Sequence, residues 1–144
     1  MSNLRTKEII SFAKGLRKNW GSDPIKIAER FGLKIVFRPG NRLSAYTIKL
    51  DNYPTIISVS GCDDHVGRQV LCAHELGHAL LHDSGVNRFE GTYRTIADDT
   101  EYEANLFAVA LLFDENDFNI SLSSMSNYVL KGILDYNLGF SSFT

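Results

Sequence analysis

The sequence predicts an α+β fold in which two helices precede a small sheet and three further helices follow it. Apolar residues recur at helical spacing over residues 4–19, and β-forming residues are concentrated in three short runs between residues 33 and 60. After residue 63 the helical pattern returns and extends, with one polar interruption, to about residue 136. We therefore expect one domain over residues 1–144, with a small, mostly antiparallel sheet of about three strands packed with about five helices.

The first half of the chain has residues suited to begin and end each element. The first helix is expected over residues 4–19. Asp23 can cap a short second helix that Pro24 opens and Gly32 ends. Strands are expected at residues 33–38, 44–50 and 55–60.

Carboxylates mark the expected starts of the helices in the second half. A third helix begins after an aspartate at position 63 or 64 and runs to about His82. A polar loop follows over residues 83–97. Asp98, with a glutamate three residues later, resembles a capping box that starts a fourth helix. The last helix covers roughly residues 124–136.

The most specific feature of the chain is the sequence His-Glu-Leu-Gly-His at residues 74–78. On a helix, His74 and His78 lie one turn apart on the same face and can bind one zinc ion. Glu75 follows the first histidine, where it can act as general base towards metal-activated water. His82 is rejected as a ligand because it lies about 12 Å along the helix from His74.

The third metal ligand must come from downstream, because catalytic zinc sites usually have three protein ligands and an open position for water. Glu103 is the preferred candidate, since its helix is otherwise strongly apolar and a buried carboxylate needs a compensating charge. Glu101 lies on another face, near the expected helix start, where a carboxylate is favourable without a metal. Cys72 is expected in the core. The predicted ligands are therefore His74, His78 and Glu103.

Three segments of the chain carry a resemblance to a known family. They are residues 23–33, residues 68–82 around the His-Glu-Leu-Gly-His sequence, and residues 103–112, which begin Glu103-Ala104-Asn105. Together they resemble the ImmA/IrrE family of zinc metallopeptidases, which are bacterial and phage regulators. The resemblance implies a zincin-like metallopeptidase core, and the Glu-Ala-Asn segment implies Glu103 as third ligand. One departure is Phe113-Asp114, where the family commonly has Met-Pro.

The expected function is that of a zinc-dependent endopeptidase with Glu75 as general base. The resemblance implies that its protein substrate is a helix-turn-helix transcriptional repressor of a phage or mobile element. We expect the substrate to lie extended along the strand at residues 55–60, adding to the sheet. The group that stabilises the oxyanion stays open among Tyr46, His65, Tyr93 and Tyr102.

Two functions of other classes are weighed against this one. A non-proteolytic anti-repressor with a structural or vestigial zinc site would have no use for the base at Glu75. Direct nucleic-acid binding is suggested by residues 1–42, which hold ten Lys or Arg and three Asp or Glu. We favour an exposed charged helix face for this segment, because no aromatic residues interleave with the basic ones.

Composition is that of a soluble globular protein, with 44% hydrophobic and 22% charged residues. No apolar run approaches 18 residues, so no membrane span is expected. The N-terminal sequence lacks the apolar core of a secretory signal. Cys62 and Cys72 do not form a disulfide framework, and a cytoplasmic location is expected.

Overall fold

Apart from a two-residue strand within the expected loop at residues 83–97, the elements follow the predicted order, and the α+β class is confirmed. The computed structural model describes residues 3–82, 86–87 and 94–138, with side chains for residues 4–82 and 99–138. Within these residues the helices are α1 (Asn3–Trp20), α2 (Pro24–Arg30), α3 (His65–Leu81), α4 (Arg94–Leu112) and α5 (Asn127–Asn137). The strands are β1 (Lys34–Arg38), β2 (Ser44–Ile48), β3 (Ile56–Ser60) and β4 (Val86–Asn87).

The sheet has the strand order β1-β3-β2-β4, so β3 is paired on both edges. β1 runs parallel to β3, whereas β2 runs antiparallel to it, with Thr47 opposite Ile57. β4 pairs with β2 only at Thr47 and Ile48. The prediction that a substrate adds to residues 55–60 is wrong, because neighbouring strands already occupy both edges of β3.

Side-chain caps begin α2 and α3 as predicted. Asp23 accepts a hydrogen bond of 3.0 Å from the Ile25 amide, and Asp64 accepts one of 3.0 Å from the Gly67 amide. These bonds satisfy backbone donors that a helix leaves without an internal partner.

The fourth helix begins earlier than the sequence predicted. α4 starts at Arg94, so part of the expected loop at residues 83–97 is helical. The predicted capping box at Asp98 is wrong, because that residue lies inside the helix. Glu101 is therefore about two turns inside α4.

The α3 and α4 helices pack together at the centre of the hydrophobic core. Leu76 of α3 and Phe107 of α4 are fully buried, and each buried side chain of this size contributes about 1.5–3 kcal/mol. Gly77 permits close approach, since a Cβ there would stand 3.1 Å from the Cα of Ala104. This close approach explains a glycine inside the helix, where alanine is otherwise preferred by about 1 kcal/mol. No helix in the described part of the chain has the length and apolar character to cross a membrane.

Candidate metal centre

His74 and His78 lie one turn apart on the same face of α3. Their ring centroids are 4.9 Å apart, and their side chains are 18% and 7% exposed. Neighbouring Ala73 and Leu76 are fully buried, which fixes the helix against the core. The two imidazoles are therefore held at defined positions and are largely shielded from solvent.

Glu101 of α4 supplies the carboxylate that faces these histidines. Its Oε1 lies 3.2 Å from Nε2 of His74, and its Oε2 lies 2.6 Å from Nε2 of His78. The potential ligand atoms of the three residues all lie within 4.8 Å of one another. Helix packing explains the meeting, because Glu101 is three residues before Ala104, which contacts Gly77 of α3.

The charge state of Glu101 suits a metal ligand. Burial raises its pKa, but the hydrogen bonds to His74 and His78 and the charge attraction of both rings together outweigh burial and hold the pKa well below its usual value. The carboxylate is therefore ionised at neutral pH, as metal coordination requires.

The structure does not bring Glu103, the ligand that the sequence argument preferred, into this cluster. Its Oε2 accepts a hydrogen bond of 3.1 Å from Nε of Arg5, and its Oε1 lies 2.9 Å from Nε2 of His82. Two residues correspond to roughly 200° around a helix, so Glu101 and Glu103 face different neighbours. The compensating charge that we expected from zinc is supplied to Glu103 by Arg5.

Glu75 lies beside the histidines and is 5% exposed. The Thr47 hydroxyl of β2 lies 2.8 Å from Oε1 of Glu75 and 3.1 Å from its backbone oxygen, and donates its one proton to either. Burial raises the pKa of Glu75 above its usual value, although His74, His78 and Thr47 oppose the rise. A carboxylate whose pKa is raised is a stronger base at neutral pH.

Asn105 of α4 supports His74, the first histidine of the pair. The Asn105 side chain hydrogen-bonds to His74. Nδ2 of Asn105 also donates to Oδ1 of Asn127 at 2.7 Å, which ties the α4 side chain to α5. The orientation of His74 is thus linked to two further helices.

A cleft of about 250 Å³ opens in front of the cluster. His74, Glu75 and Glu101 line it, together with residues of β2 and α5. Much of the remaining wall is apolar, formed by Leu43, Ala45, Leu71, Leu134 and Leu138. The cleft therefore offers both a polar reacting centre and room for an apolar side chain.

The residues considered for the oxyanion lie elsewhere or outside the described chain. Tyr93 falls outside the described residues. Tyr46 projects from the face of β2 opposite to Thr47, because side chains alternate along a strand. His65 lines a separate cleft at the first turn of α3, and Tyr102 packs against the hydrophobic core. None of these three described residues lines the 250 Å³ cleft.

The side chains of the cluster fit a divalent metal ion. Two imidazoles and one carboxylate are a donor set of catalytic zinc sites, in which a further position stays open for water. His74, His78 and Glu101 present this set at the edge of a cleft, with Glu75 adjacent.

Comparison with known proteins places the chain in a family. Residues 28–136, which are 109 of the 144 residues, match the model of a peptidase family described as the IrrE N-terminal-like domain. The match includes the whole of α3 and α4 and all four residues of the candidate centre, whereas α1 lies outside it. No curated protein and no solved structure matches the chain significantly.

Proposed function

Because the chain belongs to the peptidase family of IrrE N-terminal-like domains, we propose that it is a zinc-dependent endopeptidase. The observation that carries the proposal is the cluster of His74, His78 and Glu101 beside the buried Glu75. A site that served structure alone would need no base next to it and no open cleft in front of it.

The chain's own residues supply the proton transfers of peptide hydrolysis. His74, His78 and Glu101 would hold a zinc ion, which would lower the pKa of a bound water and polarise a carbonyl group. Glu75 takes a proton from the attacking water and delivers it to the leaving amine. Thr47 holds the Glu75 carboxylate through its hydroxyl, so the base keeps one orientation during the transfer.

The substrate is proposed to lie extended beside β2. Ser44 and Ala45 line the cleft, and β4 pairs with β2 only at Thr47 and Ile48. Within the described part of the chain, the first residues of β2 therefore have no partner strand on that edge. A peptide that adds there by backbone hydrogen bonds would pass in front of Glu75.

The resemblance to the ImmA/IrrE family supports a helix-turn-helix repressor as the protein cleaved. Such a repressor acts in the cytoplasm, which agrees with the location expected from the sequence. Cleavage would remove the repressor and release the genes it controls.

The test has two stages. Metal analysis of the purified protein should give one zinc per chain, with loss of zinc from His78→Ala and Glu101→Gln. The zinc-loaded protein is then incubated with the repressor encoded by the neighbouring gene. We expect cleavage by the wild type and by Glu29→Gln, which alters an exposed carboxylate, and none by Glu75→Gln.

Two results would refute the proposal. If the wild-type protein binds no zinc, the proposed metal centre is wrong. Zinc-loaded wild type that leaves the repressor intact, yet inactivates it as well as Glu75→Gln does, would act by binding alone.

A further inference from the structure

A chain of three side chains leads away from His78 on the side opposite to Glu101. His78 uses Nε2 towards Glu101, and its Nδ1 lies 3.1 Å from Nδ1 of His82. Nε2 of His82 lies 2.9 Å from Oε1 of Glu103. Arg5 then holds both oxygens of Glu103, with distances of 3.1 Å from Nε and 3.0 Å from its terminal nitrogen.

When His78 binds a metal through Nε2, only one arrangement of protons gives every donor in this row of side chains an acceptor. Nδ1 of His78 must then carry the proton and donate it to Nδ1 of His82. His82 is left with its proton on Nε2, and that proton is donated to Glu103. Glu103 accepts as a carboxylate, and the Arg5 guanidinium balances its charge.

We propose that His82, Glu103 and Arg5 are positioning residues that fix the orientation and tautomer of His78 as a metal ligand. Outer partners of metal-bound histidines generally act in this way, by holding the ring and raising its basicity. The inference rests on the proposed metal centre but not on the proposed peptidase activity.

The surroundings of these side chains favour hydrogen bonds with a fixed geometry. The side chains of His82 and Glu103 are 10% and 12% exposed, whereas Arg5 is 40% exposed. Lys49 also donates a hydrogen bond to the backbone oxygen of His82, which holds the end of α3. The low solvent exposure of the inner two residues limits competition from water.

This row of hydrogen-bonded side chains also gives α1 a function. Arg5 lies in α1, outside the segment that matches the family, and its partner Glu103 lies 98 residues away. The first helix is thus connected to the metal centre through Glu103 and His82. The orientation of a metal ligand on α3 depends, in this arrangement, on a residue near the N-terminus.

The experiment measures the zinc dissociation constant of the full chain by competition with a chromophoric chelator. His82→Leu is expected to raise it by about 10- to 100-fold, the usual effect of removing an outer partner. Glu103→Gln and Arg5→Met should raise it by smaller factors, in that order. His82→Asn, whose side-chain oxygen can replace Nδ1 as acceptor, should bind zinc more tightly than His82→Leu.

Lys14→Met is the matched control. Lys14 also lies in α1 and forms an ion pair, with Glu115 beyond the end of α4. Its loss removes a contact between α1 and the rest of the molecule without touching the metal centre. We expect Lys14→Met to lower stability as Arg5→Met does, but to leave zinc affinity unchanged.

A spectroscopic measurement tests the proton assignment directly. Long-range proton–nitrogen NMR of the zinc-loaded wild type should show His82 as the tautomer protonated on Nε2, with Nδ1 as acceptor. Observation of the other tautomer would overturn the inference. Equal zinc affinities for wild type, His82→Leu and Glu103→Gln would also overturn the inference, but they would not contradict the proposed metal centre. Absence of zinc binding by the wild type would refute the proposed function and this inference together.

Discussion

At the scale of single residues, the carboxylate that we propose as general base contacts one buried hydroxyl. Thr47 is fully buried in β2, and its hydroxyl contacts Glu75 at 2.8 Å. Ser58 on the adjacent strand is also buried, but its hydroxyl has no hydrogen-bond partner among the described residues. Two buried hydroxyls on adjacent strands therefore differ in whether they form a hydrogen bond.

This difference predicts different effects on stability for two substitutions that remove a hydroxyl group. Thr47→Val removes a hydrogen bond to a charged group and should lower the free energy of unfolding by about 1.5–3 kcal/mol. Ser58→Ala removes an unpaired polar group and should change it by less than about 0.5 kcal/mol, or increase it. Urea denaturation measures both values. Equal losses would contradict the role assigned to Thr47.

Single residues also show where sequence reasoning succeeds and where it stops. The faces of His74, Glu75 and His78 follow from helical spacing alone, so they could be predicted. The choice between Glu101 and Glu103 could not, because both are carboxylates in one helix and packing decides which face meets α3. The partner of Glu103 is Arg5, 98 residues away, and no local pattern reveals a contact at that separation.

At the scale of elements, the site depends on how closely α3 and α4 approach. Gly77 allows this approach, because a Cβ there would stand 3.1 Å from Cα and 3.2 Å from the backbone oxygen of Ala104. The same contact brings Glu101, one turn away on α4, to the histidines. The sequence predicted that the fourth helix begins near residue 98, so Glu101 was expected at the helix start and was set aside as a ligand. Because α4 begins at Arg94, that reason does not hold.

The substitution Gly77→Ala tests the importance of this contact. Alanine is favoured over glycine in a helix interior by about 1 kcal/mol. The added Cβ nevertheless meets backbone atoms that cannot rotate away, and overpacking of this kind costs about 1–3 kcal/mol. We expect a net decrease in the urea midpoint and weaker zinc binding. Gly132→Ala on α5, where a Cβ would meet nothing within 4 Å, is the control and should be neutral or stabilising.

An ion pair links α1 to the segment after α4 and makes stability depend on pH. Hydrogen bonds from Lys14 and from the Leu122 amide lower the pKa of Glu115 below the reference value of 4.5. Because the folded pKa is depressed, this contribution is fully present above pH 4.5 and is lost as the pH falls through the folded pKa.

Glu115→Gln should therefore destabilise the protein by about 1 kcal/mol at pH 7. At a pH below the folded pKa, the wild-type side chain is protonated, and the two proteins should have nearly equal stability. Urea denaturation of both proteins across the acid range measures the difference. A difference that stays constant with pH would show that charge does not contribute to this contact.

At the scale of the whole molecule, one hydrophobic core connects the first helix to the last. Its buried residues extend from Ile9 in α1 through Phe107 in α4 to Leu134 in α5. This core connects the described helices with one another, and one domain over residues 1–144 stays a prediction. The order of elements could be predicted because spacing and caps are local, whereas the central position of β3 is set by pairing that crosses several elements.

The candidate metal centre joins two of these elements, so metal binding should stabilise the whole fold. The proposed ligands come from α3 and α4, and His78 and Glu101 are 23 residues apart. An unfolded chain does not hold these groups together, so zinc binds mainly the native state. Free zinc at 100 times its dissociation constant then adds about 2.7 kcal/mol of stability.

For a domain of this size the added stability should raise the melting temperature by roughly 5–10 °C. Calorimetry of the metal-free protein with and without zinc measures the shift, and a chelator should reverse it. Glu101→Gln, which lacks the proposed carboxylate ligand, should show little or no shift at the same zinc concentration. A shift as large in Glu101→Gln as in the wild type would mean that Glu101 does not hold the metal. Glu103→Gln distinguishes the two carboxylates of α4: it should keep a smaller but measurable shift, because Glu103 acts on the ligand His78 and not on the ion.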